Sequence, residues 1–288
     1  MIQSLQIGNC QLFFLYDGAF SIDCGALFGI VPKMIWEKVV QPDDMNRYEI
    51  TINPILVKTP EHYVLIDPGL GNKYSDKMRF IYNIKNDNSI ERSLSEIGLK
   101  PENIDIVIAT HAHFDHIGAG TKINADGKIV PTFPNAKYYF QRGEWEDANK
   151  PDERTKATYF KENLQPLEEH GLVELIDGDA QILPQIRVEK TGGHTKHHQM
   201  VIIESNGQTA VYPGDILPSS FHLPITYVMA LDLYPVEVME AKRKLYQRAI
   251  EGNWLVIIDH GDQVRAGHIR FDGKRYSFEA VLGNSITG

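Results

Sequence analysis

The sequence predicts an α+β fold in which two β layers are flanked by helices. Short apolar runs rich in β-branched and aromatic residues occur in two separate blocks, and segments of helical composition lie between and after them. The 288 residues, of which 42% are hydrophobic, can bury one large core. We therefore expect a single domain over residues 1–288.

The first block of β structure is predicted from apolar runs bounded by Gly, Pro and Asp. These runs cover residues 11–17, 50–58 and 62–67, and the last one ends in the turn Asp67-Pro68-Gly69. A short helix is then predicted over 89–98, with Ser89 as N-cap and Gly98 as its stop. The buried strand predicted over 104–109 leads directly to His111.

The second half contains a second block of predicted strands and two longer predicted helices. Residues 153–170 have helical composition, and 235–251 carry apolar residues at helical spacing. The predicted strands of this half cover residues 172–176, 186–190, 200–204, 209–212 and 254–258. The last of them leads to Asp259 and His260.

Composition excludes several classes of function. The formal charge of −9 and a pI near 5.7 leave no clustered Lys and Arg for a nucleic-acid backbone, so we expect no nucleic-acid partner. No run reaches the roughly 18 apolar residues of a membrane span, so we expect no membrane partner and a cytoplasmic location. Cys10 and Cys24 are expected to be free thiols.

The informative signal is a cluster in which His111, His113, Asp115 and His116 stand within six positions. At an extended strand end, His111 and His113 project to the same side and can bind one ion. The turn that follows brings Asp115 and His116 toward a second ion. A lone buried histidine is more often a hydrogen-bonded core residue, but burying this whole group without metal would cost roughly 1–3 kcal/mol for each unsatisfied polar group.

These residues resemble the signature of the metallo-β-lactamase superfamily. The motif His111-x-His113-x-Asp115-His116 follows a hydrophobic strand and precedes Gly118 and Gly120. Four further segments resemble the early strand and turn, the Gly-His-Thr loop, the Gly-Asp strand end and the last histidine of that family: residues 65–69, 193–199, 212–215 and 259–261. The resemblance implies a four-layer αββα sandwich, the metallo-β-lactamase fold.

The resemblance also implies a dinuclear metal site. It assigns His111, His113 and His194 to the first metal, Asp115, His116 and His260 to the second, and Asp215 to both as a bridge. Imidazole and carboxylate donors without thiolate favour two zinc ions, although iron, manganese and cobalt accept the same donors. Asp115 is the candidate catalytic residue, since it can also orient the attacking water or accept its proton.

Within the superfamily, the sequence resembles the branch of N-acyl-homoserine lactonases and organophosphate hydrolases. The expected reaction is hydrolytic opening of an acyl lactone by a hydroxide that bridges the two metals. Many lactonases of this branch place a Tyr three residues after the bridging Asp. Pro218 stands there in this chain, so His222 is the candidate substrate-binding substitute, with Tyr227 as an alternative.

An acyl tail requires an apolar wall, and three irregular segments are candidates: residues 27–36, 74–82 and 221–229. Phe28 and Trp36 in the first segment are the test positions, although they could equally cover the core. His197 is expected at the surface rather than in the cleft. By analogy with the same branch, the N-terminal segment is the candidate surface for a homodimer.

Two alternatives stay open on the sequence alone. A phosphotriesterase or arylesterase of the same fold would use the same dinuclear site, because a phosphotriester and a lactone carbonyl place similar demands on it. From a different class, the chain could be a metal-binding module without turnover. The complete set of predicted ligands favours an enzyme.

Overall fold

The computed structural model describes residues 2–85, 89–261 and 264–283. Over these residues the chain forms nineteen strands and eight helices, together with four short 3-10 turns. The strands are β1 (Gln3–Ile7), β2 (Cys10–Phe14), β3 (Ala19–Asp23), β4 (Arg47–Ile52), β5 (Ile55–Lys58), β6 (Tyr63–Ile66), β7 (Ile106–Ile108), β8 (Thr121–Ile123), β9 (Ile129–Pro131), β10 (Lys137–Gln141), β11 (Val173–Ile176), β12 (Ala180–Leu183), β13 (Ile186–Lys190), β14 (Gln199–Ser205), β15 (Gln208–Tyr212), β16 (Leu255–Ile257), β17 (His260–Gly261), β18 (Val264–Phe271) and β19 (Tyr276–Gly283).

The helices range from one turn to almost five. They are α1 (Cys24–Phe28), α2 (Lys33–Trp36), α3 (Asp76–Tyr82), α4 (Ile90–Glu96), α5 (Phe114–Ile117), α6 (Arg142–Asn149), α7 (Lys161–Glu169) and α8 (Pro235–Glu251). Not one of them is both long and apolar enough to cross a bilayer within the described ranges. The predicted helix over 235–251 matches α8 at both ends.

Two seven-stranded sheets form the centre of the fold. The first sheet has the order β1-β2-β5-β6-β7-β10-β11, and the second has the order β12-β13-β14-β15-β16-β18-β19. In the first sheet β6 and β7 are parallel neighbours, and in the second sheet β15 and β16 are parallel neighbours. Parallel neighbours end at the same edge of a sheet, so residues that follow these four strands meet at one edge of each sheet.

Hydrophobic clusters define the layers. Between the sheets, Val57 and Ile108 of the first pack in one cluster with Val188 and Val201 of the second. This buried apolar surface is the main source of stability for the sandwich, because each buried aliphatic side chain contributes about 1.5–3 kcal/mol. The two predicted β layers are therefore confirmed.

Helices cover the outer faces of both sheets. Leu94 of α4, Trp145 of α6 and Leu164 of α7 pack in one cluster with strands of the first sheet. Leu245 and other residues of α8 pack against β14, β15 and β16 of the second sheet. The resulting order of layers is helix, sheet, sheet, helix, which is the four-layer αββα sandwich that the family resemblance implied.

A small third sheet pairs two early strands of the chain with a late strand that contains the candidate ligand His260. It has the order β17-β4-β3, and His260 of β17 pairs with Ile52 of β4. Phe20, Ile50 and Phe28 form part of a separate cluster beneath it with α1 and α2. Residues 10 and 24 hold free, buried thiols, as expected.

One predicted helix is wrong in its first half. Residues 153–160 precede α7 and do not belong to it. The Asp152 carboxylate accepts hydrogen bonds from the backbone N–H groups of Arg154 and Thr155, both at 2.9 Å. Such a local side-chain contact competes with helical backbone bonding, so the chain turns here before α7 begins.

Candidate metal centre

The candidate ligands lie where strands of both sheets end. His111 follows β7, Asp215 follows β15, and His260 lies in β17, just after β16. His113 is the N-cap residue of the short helix α5, and His194 lies in the loop between β13 and β14. Two groups of buried side chains result, each with donor atoms within 4.8 Å of one another.

The first histidine group consists of His111, His113 and His194. The Nε2 atom of His194 lies 3.1 Å from Nδ1 of His113 and 3.1 Å from Oδ2 of Asp215. The Nδ1 atom of His194 lies 2.8 Å from Oδ1 of Asp232. Asp232 orients this ring through Nδ1, so Nε2 points toward His113 and Asp215, where it could bind a cation.

The second group consists of His116, Asp215, Asp259 and His260. The Nδ1 atom of His116 lies 2.8 Å from Oδ2 of Asp67, which orients the ring through the nitrogen that points away from Asp215. Its Nε2 atom faces Oδ1 of Asp215 at 3.5 Å, and Nε2 of His260 lies 3.1 Å from the same oxygen. Asp67 also accepts hydrogen bonds from the amide and hydroxyl groups of Thr110, at 2.7 and 2.6 Å.

Asp115 lies at the edge of the second group. Its Oδ2 atom is 3.7 Å from Nε2 of His116 and 3.6 Å from Nε2 of His260. The Asp115 side chain is 12% exposed, more than those of the two histidines, so it borders both the group and the solvent-accessible space above it. Burial raises the pKa of Asp115.

The donor set fits divalent metal ions. Nε2 of His111 and Nε2 of His116 are buried and have no hydrogen-bond partner within the described part of the chain, which costs roughly 1–3 kcal/mol each without a ligand. Burial, reinforced by the neighbouring histidines, lowers the pKa of His111 and His113 well below the usual value, so both rings are neutral. Neutral imidazoles with carboxylates suit a divalent transition metal.

The Asp215 carboxylate lies between histidines of both groups. Burial alone would raise the pKa of this carboxyl group, but three nearby histidines hold it well below the usual value: His194, His116 and His260. Asp215 is therefore ionised at neutral pH. A carboxylate in contact with both groups is suited to share two cations.

An apolar cavity of about 370 Å³ opens above the site. Its floor includes His113, Asp115, His194 and Asp215. Its remaining walls come from the small third sheet, from α1, α3 and α5 and from three loops: Phe20, Ser21, Ile22, Asp23, Ala26, Met45, Arg47, Phe80, Ile81, Tyr82, Phe114, Thr158 and Leu231. The segments 27–36 and 221–229 contribute no wall residues, while 74–82 contributes three.

The structure does not bring His222 to this cavity. Its Nδ1 atom lies 2.8 Å from the Ser219 hydroxyl, and its Nε2 atom lies 2.9 Å from the carbonyl oxygen of Leu27. With both ring nitrogens bonded inside the protein, no donor or acceptor remains for a substrate, so this geometry does not support the substrate-binding role predicted for His222. Tyr227 also lies outside the wall residues.

Phe28 and Trp36 are core residues and do not line the cavity. The two rings stack at 5.3 Å, and Phe28 stacks on His222 at 5.7 Å. They are 1% and 4% exposed, respectively. The interpretation of these aromatics as an acyl wall is wrong, and the alternative that they cover the core is confirmed. His197 lies outside the cavity, half-buried, with Nδ1 2.9 Å from Nζ of Lys190.

Three functional neighbours were not identified from the sequence. Asp232 and Asp67 bond to the candidate ligands His194 and His116, and Asp259 places Oδ2 3.2 Å from Nδ1 of His116. The position of Asp259 next to His260 was a usable signal for it, and Asp67 lies in the recognised strand-end turn. Asp232 stands in a loop without regular spacing, so no local pattern marks it.

Comparison with known proteins agrees with this geometry. A family model described as the metallo-beta-lactamase superfamily matches residues 47–260. An N-acyl homoserine lactonase from a Bacillus species is 30% identical over 154 residues, which are 53% of this chain and 54% of that protein. The chain thus spans about half the length of the curated relatives it matches.

Solved structures show the same fold over nearly the whole chain. A probable metal-dependent hydrolase from Staphylococcus aureus has a TM-score of 0.89 and 29% identity, covering 96% of this chain and 98% of the other. AidC, a dizinc quorum-quenching lactonase, has a TM-score of 0.79 at 17% identity and covers 97% of both chains, a likeness of fold. The matched region 47–260 contains both groups of candidate ligands, and the chain belongs to the metallo-beta-lactamase superfamily.

Proposed function

We propose that this chain is a dinuclear metal-dependent hydrolase that opens lactones, with N-acyl homoserine lactones as its substrate class. The observation that carries the proposal is the Asp215 carboxylate, which faces both groups of ligands at the floor of an apolar cavity. The relatives named N-acyl homoserine lactonase support the choice of substrate.

The proposed ligands follow the two groups. His111, His113 and His194 would hold one ion, His116, His260 and Asp115 the other, and Asp215 both. Two zinc ions fit this donor set, and they would supply Lewis acidity and an acidified water for attack on a carbonyl. Asp67 and Asp232 keep His116 and His194 oriented through their Nδ1 atoms.

Asp115 is the proposed catalytic residue because it borders both the second group and the cavity. During hydrolysis, a water oxygen bonds to the lactone carbonyl carbon and the ring C–O bond breaks. The Asp115 carboxylate accepts the proton that the water loses and donates it to the departing ring oxygen. The product is the open-chain hydroxy acid, and Asp115 returns to its starting state.

The cavity favours a neutral substrate with an apolar tail. Arg47 is the only lysine or arginine that lines it within the described residues, and this side chain is already engaged. Its guanidinium donates to Asp43 at 2.9 Å and to the carbonyl oxygens of Phe80 and Ile81, both at 2.9 Å. A substrate anion would therefore find no free cation on the wall, whereas an uncharged lactone ring needs none.

Tyr82 provides a polar group on the mostly apolar wall. Its ring packs on Phe114 at 5.5 Å and on Phe20 at 6.0 Å, and its hydroxyl makes no hydrogen bond to any described residue. Burial, with the Asp115 carboxylate as a second cause, raises the pKa of Tyr82, so the hydroxyl keeps its proton at neutral pH. This phenol is available to donate to the carbonyl or amide oxygen of a substrate.

The test is an assay of N-hexanoyl-homoserine lactone hydrolysis. The acid that the reaction releases is measured at constant pH, and the zinc content is measured in the same sample. An aryl ester and a neutral phosphotriester serve as competing substrates. We expect lactone turnover to exceed both, and we expect Asp115→Asn to lose most of it, on the order of 10²–10⁴-fold. Asp44→Asn, at an exposed position, is the matched control.

Each other outcome rejects part of the proposal. Preferred turnover of the phosphotriester would replace the lactonase assignment with a phosphotriesterase. Full metal loading without turnover of any of the three substrates would indicate a metal-binding module. Unchanged activity in Asp115→Asn would remove Asp115 from the mechanism.

A further inference from the structure

We propose that Glu144 is a positioning residue that clamps together the two loops carrying the first histidine group. Glu144 lies in α6, outside every motif that marks the metal centre, and it is 1% exposed. A carboxylate so deeply buried is costly unless hydrogen bonds satisfy it. The partners of Glu144 give the reason for its position.

The two carboxylate oxygens of Glu144 bind different loops. Oε1 accepts from the backbone N–H of Ala112 at 3.0 Å, and Ala112 lies between His111 and His113. Oε2 accepts from the hydroxyl of Thr195 at 2.6 Å, and Thr195 directly follows His194. One side chain therefore bonds to residues that are sequence neighbours of all three members of the first histidine group, through the backbone of Ala112 and the side chain of Thr195.

A third contact extends the clamp to the ring of His113. The hydroxyl of Tyr159 donates to Oε1 of Glu144 at 2.9 Å, and the Tyr159 ring lies 5.0 Å from that of His113. Glu144 thereby fixes a side chain that packs directly against one proposed ligand.

The clamp spans both sheets. Residues 111–113 follow β7 of the first sheet, and residues 192–198 precede β14 of the second. Gln199 also joins the two loops, through bonds to the carbonyl oxygens of Ala109 and Thr110 at 2.7 and 3.0 Å. The fold therefore does not depend on Glu144 alone, and the effect of losing it falls on the loop ends that carry the histidines.

Among the described residues, Glu144 makes no hydrogen bond to a member of the second group, in which Asp67 holds His116 instead. Loss of Glu144 should therefore weaken the binding of one ion and leave the binding of the other unchanged. The inference rests on the proposed assignment of the first histidine group as a metal site. Outer contacts of this kind contribute about 10- to 100-fold to metal affinity.

The experiment measures zinc bound per chain against a competing chelator, and the absorption of the cobalt-loaded protein in a stepwise titration. Glu144→Ala removes the three contacts, and Glu144→Gln restores an acceptor for Ala112. Thr195→Val removes the Oε2 contact alone and guards against misfolding of the Glu144 variants. Glu146→Ala, at an exposed position of the same helix, is the matched control.

We expect Glu144→Ala and Thr195→Val to lose the first ion at chelator concentrations that leave the wild type with two, with affinity lower by about 10- to 100-fold. The second ion should bind as in Glu146→Ala, and Glu144→Gln should recover part of the loss. Equal weakening of both ions, or affinities equal to the control in Thr195→Val, would overturn the role of Glu144. A wild-type protein that binds no divalent cation would overturn the metal centre itself and this inference with it.

Discussion

Asp232 holds the imidazole of His194 from a position 38 residues further along the chain, with Oδ1 2.8 Å from Nδ1. The other oxygen of Asp232 accepts from the backbone N–H of Met229 at 2.8 Å. The carboxylate therefore has a fixed orientation, and this fixes the tautomer of His194. A hydrogen bond to one ring nitrogen of a histidine determines which of the two nitrogens can bind metal.

We predict that Asp232→Asn weakens zinc binding although the side chain keeps its size. The Met229 N–H requires an acceptor, so the amide oxygen of Asn takes that place and the amide nitrogen turns toward His194. The ring then carries its proton on Nε2, the atom that faces Asp215. Chelator competition should show affinity lower by about 10- to 100-fold. Asp126→Asn, at an exposed position, should leave it unchanged.

Metal removal should destabilise the protein. The first histidine group and the second group bury ring nitrogens that lack partners without a cation, and binding to the folded state alone adds stability by mass action. Free zinc at a thousandfold excess over its dissociation constant should add about 4 kcal/mol to the free energy of unfolding. Thermal unfolding with zinc and with a chelator measures this difference, and equal midpoints would contradict it.

Phe80 and Phe28 should respond differently to replacement by Ala. Phe80 is 71% exposed at the wall of the cavity, so Phe80→Ala should lower kcat/KM for a decanoyl lactone by about tenfold and hardly affect a butanoyl lactone. Phe28 is buried between Trp36 and His222, so Phe28→Ala should instead lower the free energy of unfolding by about 3–5 kcal/mol. Steady-state kinetics and denaturant unfolding of both variants provide the comparison.

A loss for Phe80→Ala that is the same at both chain lengths would argue against an acyl tail on this wall. The direction of the Phe28 effect checks the packing independently of any substrate. A Phe28→Ala protein with wild-type stability would contradict the stacked arrangement with Trp36.

Asp17 should make stability fall as the pH rises from about 4 to about 7. Burial raises the pKa of this carboxyl group to about 7, against hydrogen bonds from the backbone N–H groups of Gly71 and Ile90. Between the unfolded pKa near 3.9 and the folded value, the folded state binds more protons. Its stability relative to the unfolded chain therefore decreases through this window.

Asp17→Asn removes this titration, so the difference in free energy of unfolding between wild type and variant should change across the same window. Urea unfolding at several pH values between 4 and 8, with metal removed from both proteins, measures that difference. A difference that stays constant with pH would show that Asp17 does not titrate in this range.

The parts of the fold that follow from local patterns could be predicted. Ser89 caps α4 through the backbone N–H of Arg92, as its residue type and position indicate, and the histidines of the main motif lie next to one another in the sequence. Asp232 and Glu144 could not be found in this way. They reach the metal centre from distant segments, and only the packing of loops and sheets brings them there.

Whether a side chain lines the cavity or packs in the core depends on its burial, which residue type does not predict here. His222, Phe28 and Trp36 have side chains suited to either a substrate wall or a core, and no sequence spacing distinguishes the two. The packing of α1 and α2 against the small third sheet turns Phe28 and Trp36 inward, and His222 stacks on Phe28. The wall residues Phe80 and Tyr82 come instead from α3, within the candidate segment 74–82.

The pairing of His260 with Ile52 also limits how this fold can change. The strand β4 begins at Arg47 on the cavity wall and reaches the partner of His260 five residues later. Adding or deleting one residue within β4 would shift the register and turn its side chains to the opposite face. Length changes that alter the cavity are therefore tolerable before Arg47, in the segment 37–46, whereas between 47 and 52 substitutions alone preserve the position of His260.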